Sequence, residues 1–167
     1  NLPVLLSYDR ARMTDFFSRF NNLVLRLFLC PLPTACAVVG HAIAGGTILA
    51  LAGDFCLAAG KKPLMGLNEV KLGVPVPYLA DLMLRQRISD RRANEILYSG
   101  EFFPATDAQR MGIVDETLPL AQVENRAVER VAAVAALPRH AFSAIKESRT
   151  ETIRQRYEAR GREACER

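Results

Sequence analysis

Short apolar runs alternate with stretches of helical spacing along this chain, and that alternation predicts an α/β domain. Three segments carry the expectation. Thr34-Ala35-Cys36-Ala37-Val38-Val39 is an apolar run closed by Gly40, as in a strand covered on both faces. Ile113 to Leu118 alternates like a strand, and Ala121 to Leu137 is an amphipathic helix ended by Pro138. The 167 residues suit one domain, because a chain of this length buries about two-thirds of its unfolded surface.

The elements follow in order. Phe16, Phe17, Phe20, Leu23, Val24, Leu27 and Phe28 recur at helical spacing, which predicts a long helix from Ser7 to Leu29, with Ser7 or Asp9 as its cap. Cys30-Pro31-Leu32-Pro33 ends it, since proline cannot continue a helix. After the 34–39 strand and the glycines, Thr47 to Ala52 reads as a short buried helix and Phe55 to Ala59 as a second strand. A turn at Gly60-Lys61-Lys62-Pro63 leads to a short apolar strand at 64–67 and then to Asn68-Glu69-Val70-Lys71-Leu72-Gly73. Helices are expected over Tyr78–Arg87 and Asp90–Ser99, the second capped by Ser89. Phe102-Phe103 reads as extended, Asp107–Met111 as one helical turn, and His140 to Arg167 as a charged, peripheral helical region.

Composition removes several classes. Half the residues are hydrophobic and 24% are charged, as in an ordinary globular chain. A net charge of +4 tolerates an anionic ligand, but Trp is absent and basic and aromatic residues do not interleave, so no nucleic-acid partner is expected. Cys30, Cys36, Cys56 and Cys165 form no C-x-x-C and no zinc spacing with His41 and His140, so no metal site is expected and the thiols are read as buried and reduced. The apolar stretch from Ala35 to Ala59 is broken by glycines, His41 and Asp54, so no membrane span is expected. A cytoplasmic setting of bacterial type is expected.

The segment Gly40-His41-Ala42-Ile43-Ala44-Gly45-Gly46-Thr47 holds the first candidate chemistry. It joins a strand to a helix, where unpaired N–H groups and the helix dipole favour negative charge. A nucleotide-phosphate loop is excluded, because Gly46 stands where the G-x-x-x-x-G-K-[ST] pattern needs lysine. The remaining readings are a site for a smaller developing oxyanion and plain helix–strand packing, and the local pattern does not choose between them. Glu69 is the second candidate: a carboxylate among apolar neighbours is either solvated in a loop or a group of altered proton affinity.

Four blocks in order bring these candidates together. Ala37-Val38-Val39-Gly40-His41-Ala42-Ile43-Ala44-Gly45-Gly46, Ala52-Gly53-Asp54-Phe55, Gly66-Leu67-Asn68-Glu69-Val70-Lys71-Leu72-Gly73 and Ala108-Gln109-Arg110-Met111-Gly112-Ile113-Val114-Asp115 resemble the crotonase, or enoyl-CoA hydratase/isomerase, family. The resemblance implies a spiral of ββα units that binds acyl-CoA and assembles as a homotrimer or hexamer. It implies no cofactor, coenzyme A entering as part of the substrate. Residues 1–137 would be the C-terminal part of the core and 138–167 a C-terminal helical region. The family's second oxyanion N–H falls on Gly45, beside Gly46. Its first donor comes from a loop before a turn that matches Asn1-Leu2, so that donor and the first strands are expected outside this sequence.

Hydratases of the family carry two glutamates. The later matches Glu69; the earlier matches Ile48 or its neighbours Thr47 and Leu49, none of them acidic. One carboxylate suffices for a Δ3-to-Δ2 double-bond shift, whereas orienting and splitting water favours two acid–base groups, and Ile48 would keep the pocket dry. Gly66-Leu67-Asn68-Glu69, Leu72-Gly73, Phe103-Pro104-Ala105 and Pro77-Tyr78 look like the 3,2-trans-enoyl-CoA isomerases, with Tyr78 as an aromatic pocket residue. The alternatives are a hydratase, another crotonase activity, or a silent acyl-CoA-binding member. His41 and Asp54 are read as structural. Lys61, Lys62 and Lys146 are weighed as contacts to coenzyme A phosphates, with a solvated surface preferred for each.

Overall fold

The computed structural model describes residues 4–5, 7–60 and 62–165, and side chains as far as residue 160. The expectations for Asn1-Leu2, Lys61 and the Cys165 thiol lie outside the described residues.

Helix α1 (Arg10–Phe28) begins at Asp9, whose Oδ1 accepts the Arg12 N–H at 2.8 Å. The strand β1 (Ala35–Val38) leads through β2 (Ala42–Ile43) into α2 (Gly45–Ala52). β3 (Phe55–Ala59) and β4 (Leu64–Gly66) repeat the pattern, followed by a 3-10 turn at Glu69–Leu72 and the helices α3 (Tyr78–Arg87) and α4 (Asp90–Ser99). β5 (Phe103–Pro104), α5 (Ala105–Met111), β6 (Glu116–Leu118), α6 (Leu120–Ala135) and α7 (Arg139–Cys165) complete the chain. Ser89 caps α4 as expected, accepting from Arg92 N.

Two three-stranded sheets result, in the orders β1-β3-β6 and β2-β4-β5. The first is parallel throughout; in the second, β2 and β4 are parallel and β5 is antiparallel. The first two passes run strand, strand, helix and the third places α5 between its two strands, but each adds one strand to each sheet, as in the spiral of ββα units that the resemblance implies. Alternation along β3 divides the interior. Cys56 and Ala58 face the main core with Met65, Leu67, Leu79 and Met83, whereas Leu57 and Ala59 meet Val123 and Ala127 of α6.

Three expectations change. β1 is an edge strand with only Val38 buried and Ala37 exposed, because its other side has no neighbour among the described strands. A purely apolar composition therefore misstates its cover. α1 packs chiefly through its C-terminal half: Val24 and Phe28 are buried, Phe16 and Phe20 half-buried, and Phe17 exposed. β6 is shorter than the 113–118 run, since Ile113 and Val114 are buried in the approach to it, and pairing with β3 begins at Asp115, whose N–H donates to the Cys56 carbonyl at 2.8 Å.

The C-terminal helix is charged but not merely peripheral. Lys146, Thr150 and Ile153 are buried on α7. Lys146 Nζ reaches Asp54 Oδ2 at 2.7 Å and the Leu32 carbonyl at 3.2 Å, and Asp54 Oδ2 also accepts the Thr34 N–H at 2.8 Å. Lys146 is thus neither a solvated lysine nor free for a phosphate; it docks α7 onto the turn before β1. Among the described residues, no helix is long and apolar enough to cross a membrane.

Candidate active site

Ile43 of β2 stands opposite Gly66 of β4 in a parallel pair, with strands in such a pair about 4.8 Å apart. Gly45 follows Ile43 by two residues and Glu69 follows Gly66 by three. The N-terminus of α2 and the turn bearing Glu69 therefore leave the same end of two neighbouring strands, and the sheet brings together candidates 24 residues apart in sequence.

The turn into α2 is tightly tied. Ala44 has φ 49° and ψ −114°, the one non-glycine positive φ among the described residues. A conformation of this kind costs about 1–3 kcal/mol and persists where its surroundings enforce it. Here the Ala44 N–H donates to the Gly66 carbonyl at 2.8 Å and the Ala44 carbonyl accepts the Ile48 N–H at 3.0 Å. Gly45 and Gly46 then open α2 with no side-chain cap, which leaves first-turn N–H groups without intrahelical acceptors.

Glycine matters unequally at these positions. A Cβ on Gly45 would lie 3.3 Å from the Phe20 ring, tighter than ordinary packing, whereas one on Gly46 would meet Ala42 at a comfortable 3.5 Å. Phe20 of α1 thus covers the side of Gly45 where a side chain would stand. Close packing is part of the reason for Gly45, and Gly46 is not required by space.

Glu69 opens the 3-10 turn and is 7% exposed. Its Oε2 is buried without a hydrogen-bond partner, as is Oδ1 of Asn68. Burial pushes the Glu69 carboxyl above the ordinary glutamate range, with a backbone hydrogen bond opposing. The turn is held from below by Gly100 (φ 59°) at the end of α4, where a Cβ would come within 2.8 Å of Val70 Cγ1. Gly66 is equally confined: a Cβ there would lie 2.7 Å from the Glu101 carbonyl oxygen. Glu69 is therefore no solvated loop residue, and its Oε2 and the Asn68 Oδ1 are the orphaned buried side-chain oxygens among the described residues.

The other candidates sort clearly. Ile48 is 2% exposed, an apolar residue in the first turn and a half of α2. Tyr78 starts α3 half-buried against the main core, and the Arg160 guanidinium of α7 lies 4.2 Å over its ring. His41 Nδ1 accepts the Leu64 N–H at 3.1 Å, a structural role as expected. Lys62 is exposed. Cys56 is buried and free, its thiol pushed up to about 12 by burial; Cys30 and Cys36 are half-buried and also free. Sequence reasoning weighed Thr47 only as a non-acidic neighbour of Ile48; that it is a buried hydroxyl was signalled only by a polar residue in apolar company.

A model of enoyl-CoA hydratase/isomerase proteins matches residues 4–167. The chain belongs to the enoyl-CoA hydratase/isomerase family. It is 34% identical over 142 residues to human mitochondrial enoyl-CoA delta isomerase 1, covering 84% of this chain and 47% of that protein. It is likewise 34% identical over 112 residues to the enoyl-CoA isomerase/hydratase fer4 of Mycosarcoma maydis, covering 66% and 40%. The chain spans about half the length of the curated relatives it matches. Among solved structures, human mitochondrial delta3-delta2-enoyl-CoA isomerase superposes with a TM-score of 0.88 at 30% identity, over 93% of this chain and 61% of that one. Enoyl-CoA hydratase EchA3 from Mycobacterium ulcerans gives 0.88 at 29%, over 95% and 69%. The crotonase fold follows, and isomerase names are foremost among the relatives.

Proposed function

We propose that the protein shifts the double bond of a 3-enoyl-CoA to the 2-position. Glu69 carboxylate takes a proton from C2, next to the thioester. The electrons of that C–H bond pass into the thioester oxygen, giving a dienolate, and the protonated Glu69 returns its proton at C4 as the double bond settles between C2 and C3. The Gly45 N–H, at an uncapped helix start, stabilises the negative oxygen. Ile48 and Gly46 line the cavity, Ile48 excluding water, and Tyr78 forms part of the acyl wall. No cofactor enters the scheme, and coenzyme A belongs to the substrate.

The observation that carries this reading is Glu69 itself, buried, with Oε2 unpaired and its proton affinity raised. A carboxylate so placed is a stronger base than a solvated one. The apolar Ile48, where hydratases carry a second glutamate, favours proton transfer within the substrate over addition of water. The assembly is proposed to be a homotrimer or hexamer, in a bacterial-type cytoplasm.

The test is turnover of the purified protein with 3-enoyl-CoA and, separately, 2-enoyl-CoA. Activity with the first alone is expected. Hydration of the second at comparable kcat/KM overturns the isomerase assignment, and binding without turnover of either identifies a silent acyl-CoA-binding member. Glu69→Gln is expected to lower kcat by about 10³-fold, within the range that positioned acid–base groups supply, with acyl-CoA binding preserved. Unchanged turnover removes Glu69 from the chemistry.

A further inference from the structure

Thr47 is 1% exposed in the first turn of α2, among Ile48, Ala50, Leu51 and Ala52. Its hydroxyl is fully engaged. It donates toward the Ala42 carbonyl, with the Gly66 carbonyl as a second acceptor at 3.1 Å, and it accepts the Gly66 N–H at 3.0 Å. One oxygen therefore joins the strand that leads to Gly45 and the strand that leads to Glu69.

We infer that Thr47 is a positioning residue for the reaction, its hydroxyl setting the Gly45 N–H and the Glu69 carboxylate at a fixed separation across the β2–β4 pair. The inference rests on the isomerase reading above. Three features support it. β2 and β4 share only two residue pairs, Ala42 with Met65 and Ile43 with Gly66, too few to hold their ends rigidly. Ala44 sits in a conformation its backbone does not favour, held by the same Gly66 that Thr47 grips. The Gly66 N–H is buried and takes the Thr47 hydroxyl as its acceptor. Proton transfer to and from carbon is sensitive to placement, since an ångström of displacement in a catalytic group costs about 10²-fold.

The experiment compares Thr47→Val and Thr47→Ala, which remove the hydroxyl, with Thr47→Ser, which keeps it. Steady-state kinetics with 3-enoyl-CoA are read per folded molecule, folding being checked by circular dichroism. Valine and alanine are expected to lower kcat by about 10-fold or more with KM within about twofold, and serine to restore kcat to within about threefold of wild type. Because a merely structural hydroxyl would lower thermal stability and leave kcat per folded molecule intact, that result overturns the inference, as does failure of serine to rescue. If valine does not fold, alanine, which leaves room for water at the hydroxyl position, carries the comparison; collapse of both with a fully active serine variant marks a folding role and also overturns it. Glu69→Gln run alongside separates the two levels. Inactive Glu69→Gln with normal Thr47→Val refutes only the positioning role, whereas active Glu69→Gln refutes the reading beneath it.

Discussion

Glu69 occupies a place that favours its neutral form, because burial penalises the charge and Oε2 finds no donor. A carboxyl whose folded pKa exceeds its unfolded value near 4.3 binds more protons folded than unfolded between the two. Its contribution to stability is present below the unfolded pKa and lost as pH rises through the folded one. Glu69→Gln is therefore expected to raise the melting temperature at pH 8, and the advantage should vanish near pH 4; equal or lower melting at pH 8 would show the ionised form to be well accommodated. The base must also be ionised to act, so kcat should climb with pH along a limb centred above the ordinary glutamate range. Gly66 makes a second single-residue case. Alanine there drives its Cβ to 2.7 Å from the Glu101 carbonyl, and the strain is expected to cost about 1–3 kcal/mol in a urea titration; a loss below half a kcal/mol would mean that the 101–102 segment yields.

Among the elements, α7 shows how a charged helix can be held without a broad apolar stripe. Lys146 enters from α7, Asp54 from the turn before β3 and Thr34 from the approach to β1. Lys146 is 7% and Asp54 23% exposed at the side chain, so removing one partner leaves a charge with little water. Lys146→Met is expected to cost about 3 kcal/mol, read by denaturant titration, and to expose the α7 segment to limited proteolysis before the remainder. Loss of less than 1 kcal/mol would place the docking instead on Ile153 and Tyr157, the apolar residues of α7 that meet the main core. α2 shows the opposite case: an almost wholly apolar helix whose one hydroxyl fixes the turn that precedes it.

Over the whole molecule, Val70, Leu72, Val74, Tyr98 and Phe102 are exposed between 43% and 75%; the first two lie in the Glu69–Leu72 turn and the third just after it. Apolar side chains grouped on a surface mark places where other protein is buried. They accord with the homotrimer or hexamer proposed above, which predicts a solution mass of three or six chains in sedimentation equilibrium; a monomer at micromolar concentration would remove that proposal.

Much of the fold was legible because local patterns report local forces. Tyr78–Arg87 and Asp90–Ser99 have the bounds their periodicity and Ser89 cap predict, and Phe55–Ala59 is the strand its apolar run predicts. The family, too, is written in four short blocks of residues. Strand cover was not legible, since a run such as 34–39 reads alike at an edge and in the middle of a sheet, and β2 is too short to show any period. Nor could the letters show that Phe20 covers Gly45 or that Lys146 pairs with Asp54 across 92 residues. Hydrophobic period and helix caps act over one or two turns of chain and can be read in order. Neighbours across a sheet, and the burial that strips a carboxylate of water, exist only once distant segments have packed.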